Sequence, residues 1–354
     1  MIGDAFGGGT QTVVVSTTTF LDPRPGTTIN TATIPRGSGG GSVGQTRLVE
    51  GFNPIPHDRV FLNYSYFNAV PLSQRGIDVN RLTPGFEKTF LSGDASVEFR
   101  TPMAVTLDSN ISGNGATIVN QKEFGDLFTS LKFLMLRTDR FVFTSGLSLT
   151  VPTADDIRLL NVPGSTLQEL RIHNDAVHLQ PFVAFVRKPD DRRFFQGLFQ
   201  IDVPTSANRV TGQFIGQPEA NFGALTNQVY GSISVAMGYW LYQSENNRLI
   251  TGIAPLIETH YSQTLSTGNR VIARDGNNPA LGNATDIVLG DRNYQFQLLN
   301  ITTGANVQMG RSTSVLLGYS TPLGSGSDQQ FNGEFRLLLN HRLGPSVGTP
   351  GVSF

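Results

Sequence analysis

The sequence predicts an all-β protein, specifically a transmembrane, antiparallel up-and-down β-barrel of about twelve strands. Three observations lead to this prediction. Apolar and polar residues alternate along segments of about ten to sixteen residues, each bounded by Gly, Pro, Asn or Asp. Short polar links and long links alternate between these segments. No stretch approaches twenty uninterrupted apolar residues, which excludes a transmembrane helix.

Composition narrows the class of protein further. Charged residues make up 15% of the 354 residues, whereas about a quarter is usual for a soluble domain. The formal net charge of −1 gives no indication of a nucleic-acid partner or of a basic surface for membranes. Cysteine is absent, and a barrel closed by its own hydrogen-bond ladder needs no disulfides. The 39 Gly and 19 Pro are typical of a chain with many turns.

Three regions are predicted. Residues 1–42 form a leader rich in Gly, Ser and Thr, residues 43–343 form the barrel, and residues 344–354 form a C-terminal tail. The leader is either a flexible segment or an ordered plug, and the run from Gln11 to Phe20 is a candidate strand within it. An exported protein would have lost its signal peptide, because the first residues lack a basic region followed by an apolar one. The predicted strands lie near 43–50, 58–69, 86–101, 122–137, 140–152, 176–187, 192–204, 227–242, 247–263, 292–308, 311–322 and 329–343.

Alternation is clearest in two segments. Between residues 140 and 151, one parity holds Phe141, Phe143, Leu147, Leu149 and Val151, and the other holds Thr144, Gly146, Ser148 and Thr150. Between residues 330 and 343, one parity holds Phe331, Phe335, Leu337, Leu339 and Leu343, and the other holds Gln330, Asn332, Glu334, Arg336, Asn340 and Arg342. Because successive strand side chains point to opposite faces, this pattern separates an apolar surface from a hydrophilic one.

The links between the strands predict the two rims of the barrel. Short polar links occur at 137–140, 188–191, 244–247 and 310–311, and long links occur at 102–121, 153–175, 205–226 and 264–291. Outer-membrane barrels have short turns on the periplasmic side and long loops outside. Twelve strands also return the C-terminus to the side on which the barrel began.

A soluble β-sandwich also alternates, so other features favour a barrel in lipid. The strands are long for a sandwich and suit a tilted crossing of a bilayer. The polar parity is strongly ionic, as in Lys88, Asp94, Glu98 and Arg100, while the apolar parity carries aromatic residues near strand ends, such as Tyr239, Tyr261 and Phe331. Within hydrocarbon every backbone polar group must be paired, so the sheet must close on itself.

One run of residues adds a family resemblance. The chain contains His57-Asp58-Arg59-Val60-Phe61-Leu62-Asn63-Tyr64-Ser65-Tyr66-Phe67-Asn68, followed by Thr89-Phe90-Leu91-Ser92-Gly93-Asp94 through Arg100 and by Gly125-Asp126-Leu127. These segments resemble early strands of outer-membrane barrel proteins from planctomycete bacteria, and the similarity extends over residues 45 to 343. The resemblance implies a porin-like or transporter-like barrel in the cell outer membrane.

The polar parity supplies the candidate site. The candidate lumen or constriction residues are Lys88, Asp94, Glu98, Arg100, Asp126, Lys132, His178, Asp202, Glu258, His260, Glu334, Arg336 and Arg342. Both charge signs are represented, and one interpretation is a constriction that sorts small hydrophilic solutes or ions. The alternative is that these groups pair across strands and fill the barrel. Twelve strands lie between the filled interior of eight and the broad channel of sixteen to eighteen, so a narrow or partly plugged pore is expected.

Three functions compete at this point. The first is a porin-like channel, the second is a structural or adhesive surface barrel, and the third is an outer-membrane hydrolase that uses an outward-facing His341. The third is disfavoured, because no outward serine lies clearly beside His341 and no catalytic site is recognisable. No cofactor or metal is expected, since the five histidines are scattered. The expected partners are outer-membrane lipid, small hydrophilic solutes and further copies of the chain or envelope proteins, but not nucleic acid.

Overall fold

The computed structural model describes residues 10–19, 26–35, 51–70, 76–105, 110–112, 122–160, 166–244, 249–274, 283–290, 297–324, 329 and 331–343. Within these ranges the chain forms 24 β-strands, numbered here in chain order, and one three-residue 3-10 turn, Leu91–Gly93. No helix in the described residues is long and apolar enough to cross a membrane.

Twelve strands form a closed antiparallel barrel, which confirms the predicted fold class. They are β3 (Arg59–Val70), β4 (Ile77–Phe90), β5 (Ala95–Arg100), β9 (Leu127–Arg137), β10 (Phe141–Val151), β13 (His178–Arg187), β14 (Arg193–Pro204), β17 (Tyr230–Tyr239), β19 (Ile250–Thr264), β22 (Gln297–Met309), β23 (Thr313–Pro322) and β24 (Gly333–Arg342). Each strand pairs with the next barrel strand in the chain, and β24 pairs with β3 to close the wall.

Two barrel strands continue beyond an irregularity. Strand β6 (Met103–Ala104) extends β5 and keeps its pairing with β4, and β8 (Glu123–Phe124) extends β9. The amide of Gly125 donates to the carbonyl of Pro102 at 2.8 Å between the two extensions. Pro102 has no amide hydrogen of its own, so the ladder cannot run through it unbroken. The wall therefore stays hydrogen-bonded along its whole height in spite of the break.

The first strands of the barrel are not the ones that were predicted. The predicted strand at 43–50 lies outside the described residues. The predicted strand at 86–101 is wrong, because it is a hairpin of β4 and β5 that reverses at Leu91–Gly93. Leu91, Ser92 and Gly93 have φ of 50°, 55° and 94°. Such left-handed backbone is unusual for Leu and Ser, so the sequence carries only a weak turn signal there.

The outer face of the barrel is apolar and uncovered. Outward residues of the strands include the exposed side chains of Leu62, Phe86, Phe133, Leu147, Val183, Phe199, Val235, Ile257, Leu299, Leu317 and Leu339. Among the described residues of the twelve barrel strands, outward charged side chains lie near strand ends, at Asp78, Lys88, Arg137, Arg187 and Arg193. A continuous apolar belt of this extent is not stable against water and fits the hydrocarbon core of a bilayer.

The predicted alternation of links is confirmed. Short turns join β9 to β10, β13 to β14, and β22 to β23, and they define the short-turn rim. The link from β17 to β19, which contains β18 (Tyr242–Gln243) paired with β19, lies on the same rim. The long links after β5, β10, β14 and β19 leave from the opposite end, the long-loop rim. The barrel begins at Arg59 and ends at Arg342, a cross-strand pair on the short-turn rim.

The long links form strands of their own, which were not among the predicted strands. One sheet contains β7 (Asn110–Ser112), β11 (Ile157–Leu160), β12 (Leu167–Ile172), β15 (Asn208–Phe214) and β16 (Ala220–Leu225). A second contains β20 (Val271–Arg274) and β21 (Asn283–Leu289) together with β1 (Thr10–Thr19) and β2 (Gly26–Pro35). Apolar side chains of the two sheets share one core, which includes Leu170, Val210, Phe214, Val271 and Ile287. Four long links thus fold together beyond the long-loop rim, and three of them supply the shared core.

The N-terminal leader contributes a hairpin to this assembly. Strands β1 and β2 pair with each other, and β1 also pairs with β21 from Val13 opposite Leu289 to Thr19 opposite Asn283. The leader is therefore attached to the long-loop end of the protein, although the barrel strand that follows it starts at the other end. Residues 1–9, 36–50 and the predicted tail at 344–354 lie outside the described residues.

Candidate functional site

A chain segment lies inside the barrel on the short-turn side. Residues 51–58, called the lumen segment here, precede β3 and turn into the interior, where residues 51–56 are all buried. Phe52 packs edge-on against the inward-facing Phe182, with ring centroids 5.2 Å apart. Its ring belongs to a cluster with Ala184, Leu198 and Ala236 of β13, β14 and β17. The lumen segment therefore fills part of the cross-section.

Wall side chains hold the backbone of the lumen segment. Lys132 Nζ donates to the carbonyl oxygen of Asn53 at 3.1 Å, and Thr144 Oγ1 donates to that of Pro54 at 2.6 Å. The amide of His57 donates to Glu87 Oε1 at 3.3 Å. A segment without secondary structure needs such partners when it is buried, because unpaired backbone groups are costly away from water. β4, β9 and β10 supply these bonds, so the segment adheres to one side of the wall.

The wall beneath the lumen segment carries an ionic cluster. It consists of Arg59, Glu87, Glu98, Arg100 and Lys132, whose side chains are all at most 2% exposed. Arg59 contacts Glu87 at 2.6 Å and Glu98 at 2.7 Å, and Lys132 contacts the same two carboxylates at 2.6 and 3.2 Å. Arg100 completes the cluster with a 2.5 Å contact to Glu98. Three cations thus share two carboxylates, and each carboxylate has at least two cationic partners.

Aromatic rings surround the ionic cluster. The Arg59 guanidinium lies 4.7 Å from the centroid of the Phe61 ring, and that of Arg100 lies 5.2 Å from the same ring. Lys132 Nζ lies 5.3 Å from the ring of Phe52 in the lumen segment. Cation–π contacts of desolvated cations are favourable by up to about 2 kcal/mol. The cluster is therefore enclosed by rings and by the lumen segment rather than open to water.

Two ionisable groups of the lumen segment have shifted pKa values. Burial lowers the pKa of His57 to about 2, and the nearby Arg342 and Arg59 lower it further, so this imidazole is neutral. Asp58 lies at the rim beside Lys88, and Asp58 Oδ1 accepts bonds from the amide of Thr89 at 2.6 Å and from its hydroxyl at 2.5 Å. Desolvation raises the pKa of Asp58, but the hydrogen bonds from Lys88 and Thr89 outweigh it and lower this pKa to about 2.

A cavity remains on the other side of the lumen segment. It offers about 80 Å³ to the centres of water molecules, which is room for several waters, since one needs roughly 10–15 Å³ by this measure. Phe52 and Asn53 form one side of this lumen cavity. Arg59 of the ionic cluster also borders it, and the other sides come from inward residues of β14, β17, β19, β22, β23 and β24. These are Phe194, Gln196, Ala236, Leu256, Glu258, Asn306, Ser314, Leu316, Leu338 and Asn340.

An apolar layer crosses the lumen near the long-loop rim. It contains Phe67, Val70, Val79, Ala104, Tyr230, Leu298 and Phe331, all at most 3% exposed. Phe67 and Phe331 meet edge-on at 5.8 Å between ring centroids. The guanidinium of Arg81 lies 5.3 Å from the centroid of Phe67, on the inner side of the layer. The prediction that Phe331 faces outward in an aromatic girdle is wrong, because it precedes β24 and folds inward at the end of the strand.

Compact polar groups also lie in the lumen, some of them directly beside the apolar layer, since Asp202 pairs with Tyr230 and Glu334 with Phe67 in the strand ladders. His178 Nδ1 lies 2.7 Å from Asp202 Oδ1, and Gln180 bridges Asp202 Oδ2 and Thr150 Oγ1 at 3.3 and 3.1 Å. His260 Nδ1 lies 3.2 Å from Glu258 Oε1, and its Nε2 lies 3.2 Å from Thr302 Oγ1. Arg336 pairs with Glu334 on the same strand. These groups are thus engaged with one another across and along the wall.

Most of the predicted lumen residues lie on the inner face, but two predicted positions, Lys88 and Asp94, need correction. Lys88 points outward at the short-turn rim with 68% of its side chain exposed, and Asp94 is exposed in the turn that separates β4 from β5. Both errors follow from reading 86–101 as one strand, since the turn changes the parity. Asp126 is buried, but its Oδ1 accepts bonds from the amides of Thr153 and Ala154 and from Asn174, which organises a long link.

The other predicted residues are brought together in groups. Glu98, Arg100 and Lys132 lie in the ionic cluster, and Arg342 is half-buried at the short-turn rim. The remaining inward residues form the pairs described above: His178 with Asp202, Glu258 with His260, and Glu334 with Arg336. The structure shows only that these side chains point into the barrel. That they affect the passage of solutes stays a prediction.

Sequence reasoning missed two members of the ionic cluster, Arg59 and Glu87. Arg59 shares its parity with Asn63 and Ser65 in a run where Val60, Leu62 and Tyr64 take the other parity, so alternation alone would have placed it inward. Glu87 was missed because its neighbour Lys88 was assigned to the inner face. The lumen segment carries no strand pattern, and no sequence signal pointed to it.

The comparisons with known proteins bear on the fold. No protein-family model matches the chain, and no curated protein is similar to it in sequence. Among solved structures, an outer-membrane channel from Pseudomonas putida F1 matches with a TM-score of 0.52 and 11% identity over 82% of this chain and 97% of that one. The NanC porin (TM-score 0.42, 7% identity, 80% and 100% covered) and the toluene transporter TodX of Pseudomonas putida (0.40, 9%, 82% and 89%) are also similar.

The class of protein follows from these findings. Twelve antiparallel strands close on themselves, the outer surface is an apolar belt, and the inner surface is polar and ionic. A structure with the same fold is an outer-membrane channel. The chain is a transmembrane β-barrel.

Proposed function

We propose that the protein is a narrow outer-membrane channel for small hydrophilic solutes, with its short-turn rim in the periplasm. The observation that carries this proposal is the lumen cavity. A barrel built only for structure can fill its interior, yet here polar and apolar side chains together line space for several waters beside the lumen segment. The fold that the chain shares with an outer-membrane channel supports the same conclusion.

The lumen segment sets the width of this channel. Phe52 is 4% exposed and reaches the walls formed by β13, β14 and β17, so its ring narrows the cross-section beside the lumen cavity. The ring is also the largest side chain that the lumen segment places against the cavity. The rate of passage should therefore depend on the size of this side chain.

Uptake into proteoliposomes tests the proposal. The refolded protein is incorporated into lipid vesicles, and osmotic swelling is measured by light scattering with small solutes of both neutral and charged types. We expect at least one type to enter faster than into protein-free vesicles, and Phe52→Ala to increase its rate. Phe199→Ala is the matched control, because Phe199 is 43% exposed on the outer face and does not border the lumen.

A structural or adhesive barrel is the alternative function, and the observation that favours it is the folding of the long links. Their two sheets share an apolar core and extend the protein beyond the rim. Folded protein that admits no solute above the rate of empty vesicles, even with Phe52→Ala, would contradict the channel and favour this alternative. His341 offers little for hydrolysis, since its Nδ1 lies 2.9 Å from the hydroxyl of Thr313 rather than a serine.

A further inference from the structure

We infer that the passage selects uncharged polar solutes and excludes ions, although the interior of the barrel is rich in charged residues. This inference rests on the proposed channel function and specifies its substrate class. Three features of the lumen support it. The exposed wall of the lumen cavity is neutral, the charged residues are paired with one another, and an apolar layer lies near the long-loop rim.

The reachable wall of the lumen cavity is neutral. Its half-buried residues are Gln196, Leu256, Asn306 and Leu316, two amides and two aliphatic side chains. Asn306 stands opposite Leu316 in the β22–β23 ladder, so an amide and an aliphatic side chain lie side by side on this wall. Amides both donate and accept hydrogen bonds and can replace the hydration of hydroxyl or amide groups on a solute. They do not compensate the full hydration of an ion.

Among the described residues that border the lumen cavity, Arg59 and Glu258 are charged, and both contribute almost none of its surface. Arg59 is 2% exposed and is held by two carboxylates of the ionic cluster at 2.6 and 2.7 Å. Glu258 is 1% exposed and lies 3.2 Å from His260. The lumen segment lies over the ionic cluster and contacts Lys132 through Asn53 and Phe52. A solute in the cavity therefore meets amides and aliphatic groups rather than an open ring of charge.

The apolar layer adds a second barrier in the same barrel. Phe67, Tyr230, Leu298 and Phe331 converge from different strands, and each is at most 3% exposed. Apolar constrictions exclude ions by loss of water, because an ion must shed hydration that the wall does not replace. The free-energy cost of dehydration in such a layer is far smaller for a small neutral solute than for an ion. Both levels of the lumen thus discriminate in the same direction.

Paired uptake measurements test this inference. Proteoliposome swelling is recorded with glycerol and erythritol as neutral solutes, and with methylammonium chloride and sodium methanesulfonate as charged ones of similar size. We expect the neutral solutes to enter faster by about tenfold or more, which corresponds to ~1.4 kcal/mol. Similar rates for neutral and charged solutes would overturn the inference and leave the channel standing. No uptake of any solute by folded protein would overturn the channel as well.

Two variants with a charge in the neutral wall provide a positive test. Asn306→Asp and Gln196→Glu each place a carboxylate on the reachable wall, and either should raise methylammonium uptake relative to methanesulfonate. Gln213→Glu is the matched control, because Gln213 is exposed on β15 outside the barrel. Heat-modifiable migration on gels establishes that each variant is folded. If both folded variants leave the ratio of the two ions as it is in the unaltered protein, these residues do not line the passage and the inference fails.

Discussion

Two lysines that differ in burial allow a quantitative prediction about stability, because one lies in the ionic cluster and the other at the rim. Lys132 has no exposed side-chain surface, and its Nζ contacts Glu87, Glu98 and the carbonyl of Asn53. Lys88 forms a single ion pair with Asp58 at the rim, where 68% of the lysine side chain is exposed. Replacing each lysine by methionine keeps an unbranched side chain that is one atom shorter and removes one positive charge. The two variants should therefore differ strongly in their effect on stability.

The magnitude follows from the contacts that remain. Removing one partner of a buried ion pair costs about 3–5 kcal/mol. In Lys132→Met, Glu98 keeps Arg59 and Arg100, and Glu87 keeps Arg59 and the hydroxyl of Ser96 at 2.6 Å. Because neither carboxylate is left without a cation, we expect the lower end of that range, ~3 kcal/mol. Lys88→Met should cost no more than ~1 kcal/mol, as is usual for an exposed pair.

Urea unfolding in lipid vesicles measures this difference. The single tryptophan, Trp240, reports on folding because it is 3% exposed and packs against Phe194 with ring centroids 6.2 Å apart. Equal losses of unfolding free energy for Lys132→Met and Lys88→Met would refute the enclosed ionic cluster. A gain in stability for Lys132→Met would also refute it, since it would show that the carboxylates do not depend on this cation.

Two further predictions concern packing and pH. Gly146→Ala should destabilise the barrel by ~1–3 kcal/mol, because the added carbon would lie 2.3 Å from the Leu131 carbonyl oxygen and 2.4 Å from the Phe182 ring. Unfolding in urea measures this loss of stability. The double variant with Phe182→Leu should recover part of it. The lowered pKa of Asp58 means that its contribution to stability is complete above its ordinary pKa of 3.8 and is lost as the pH falls through about 2. Asp58→Asn should remove this part of the acid dependence, and an unchanged profile of unfolding midpoint against pH would contradict the rim contact.

Much of the wall could be predicted from the sequence because alternation is a local property. On β10 and β24, each inward or outward assignment follows from its neighbour, and the observed faces of Thr144, Ser148, Leu337 and Asn340 agree with it. The prediction failed where the backbone left the regular period. The turn at Leu91–Gly93 misplaced Lys88 and Asp94, and the end of the last strand misplaced Phe331.

The organisation of the lumen could not be predicted in the same way. The contacts of Arg59 with Glu87 and Glu98 join residues 28 and 39 positions apart, and that of Lys132 with Asn53 spans 79 positions. Which strands face each other across the barrel is set only when the wall closes. The same holds for the core shared by the long links, whose members come from three separate parts of the chain.

By itself the sequence determined a twelve-stranded barrel with an apolar outside, a polar inside and two different rims, because each of these depends on period two and on the lengths of links. Only the tertiary structure decided that residues 51–58 enter the lumen, that the charges there are engaged with one another, and that amides line the space that remains. The physical reason is that a side chain's parity fixes the face on which it lies. Its partner depends on closure of the sheet and on the path of a segment that belongs to no strand.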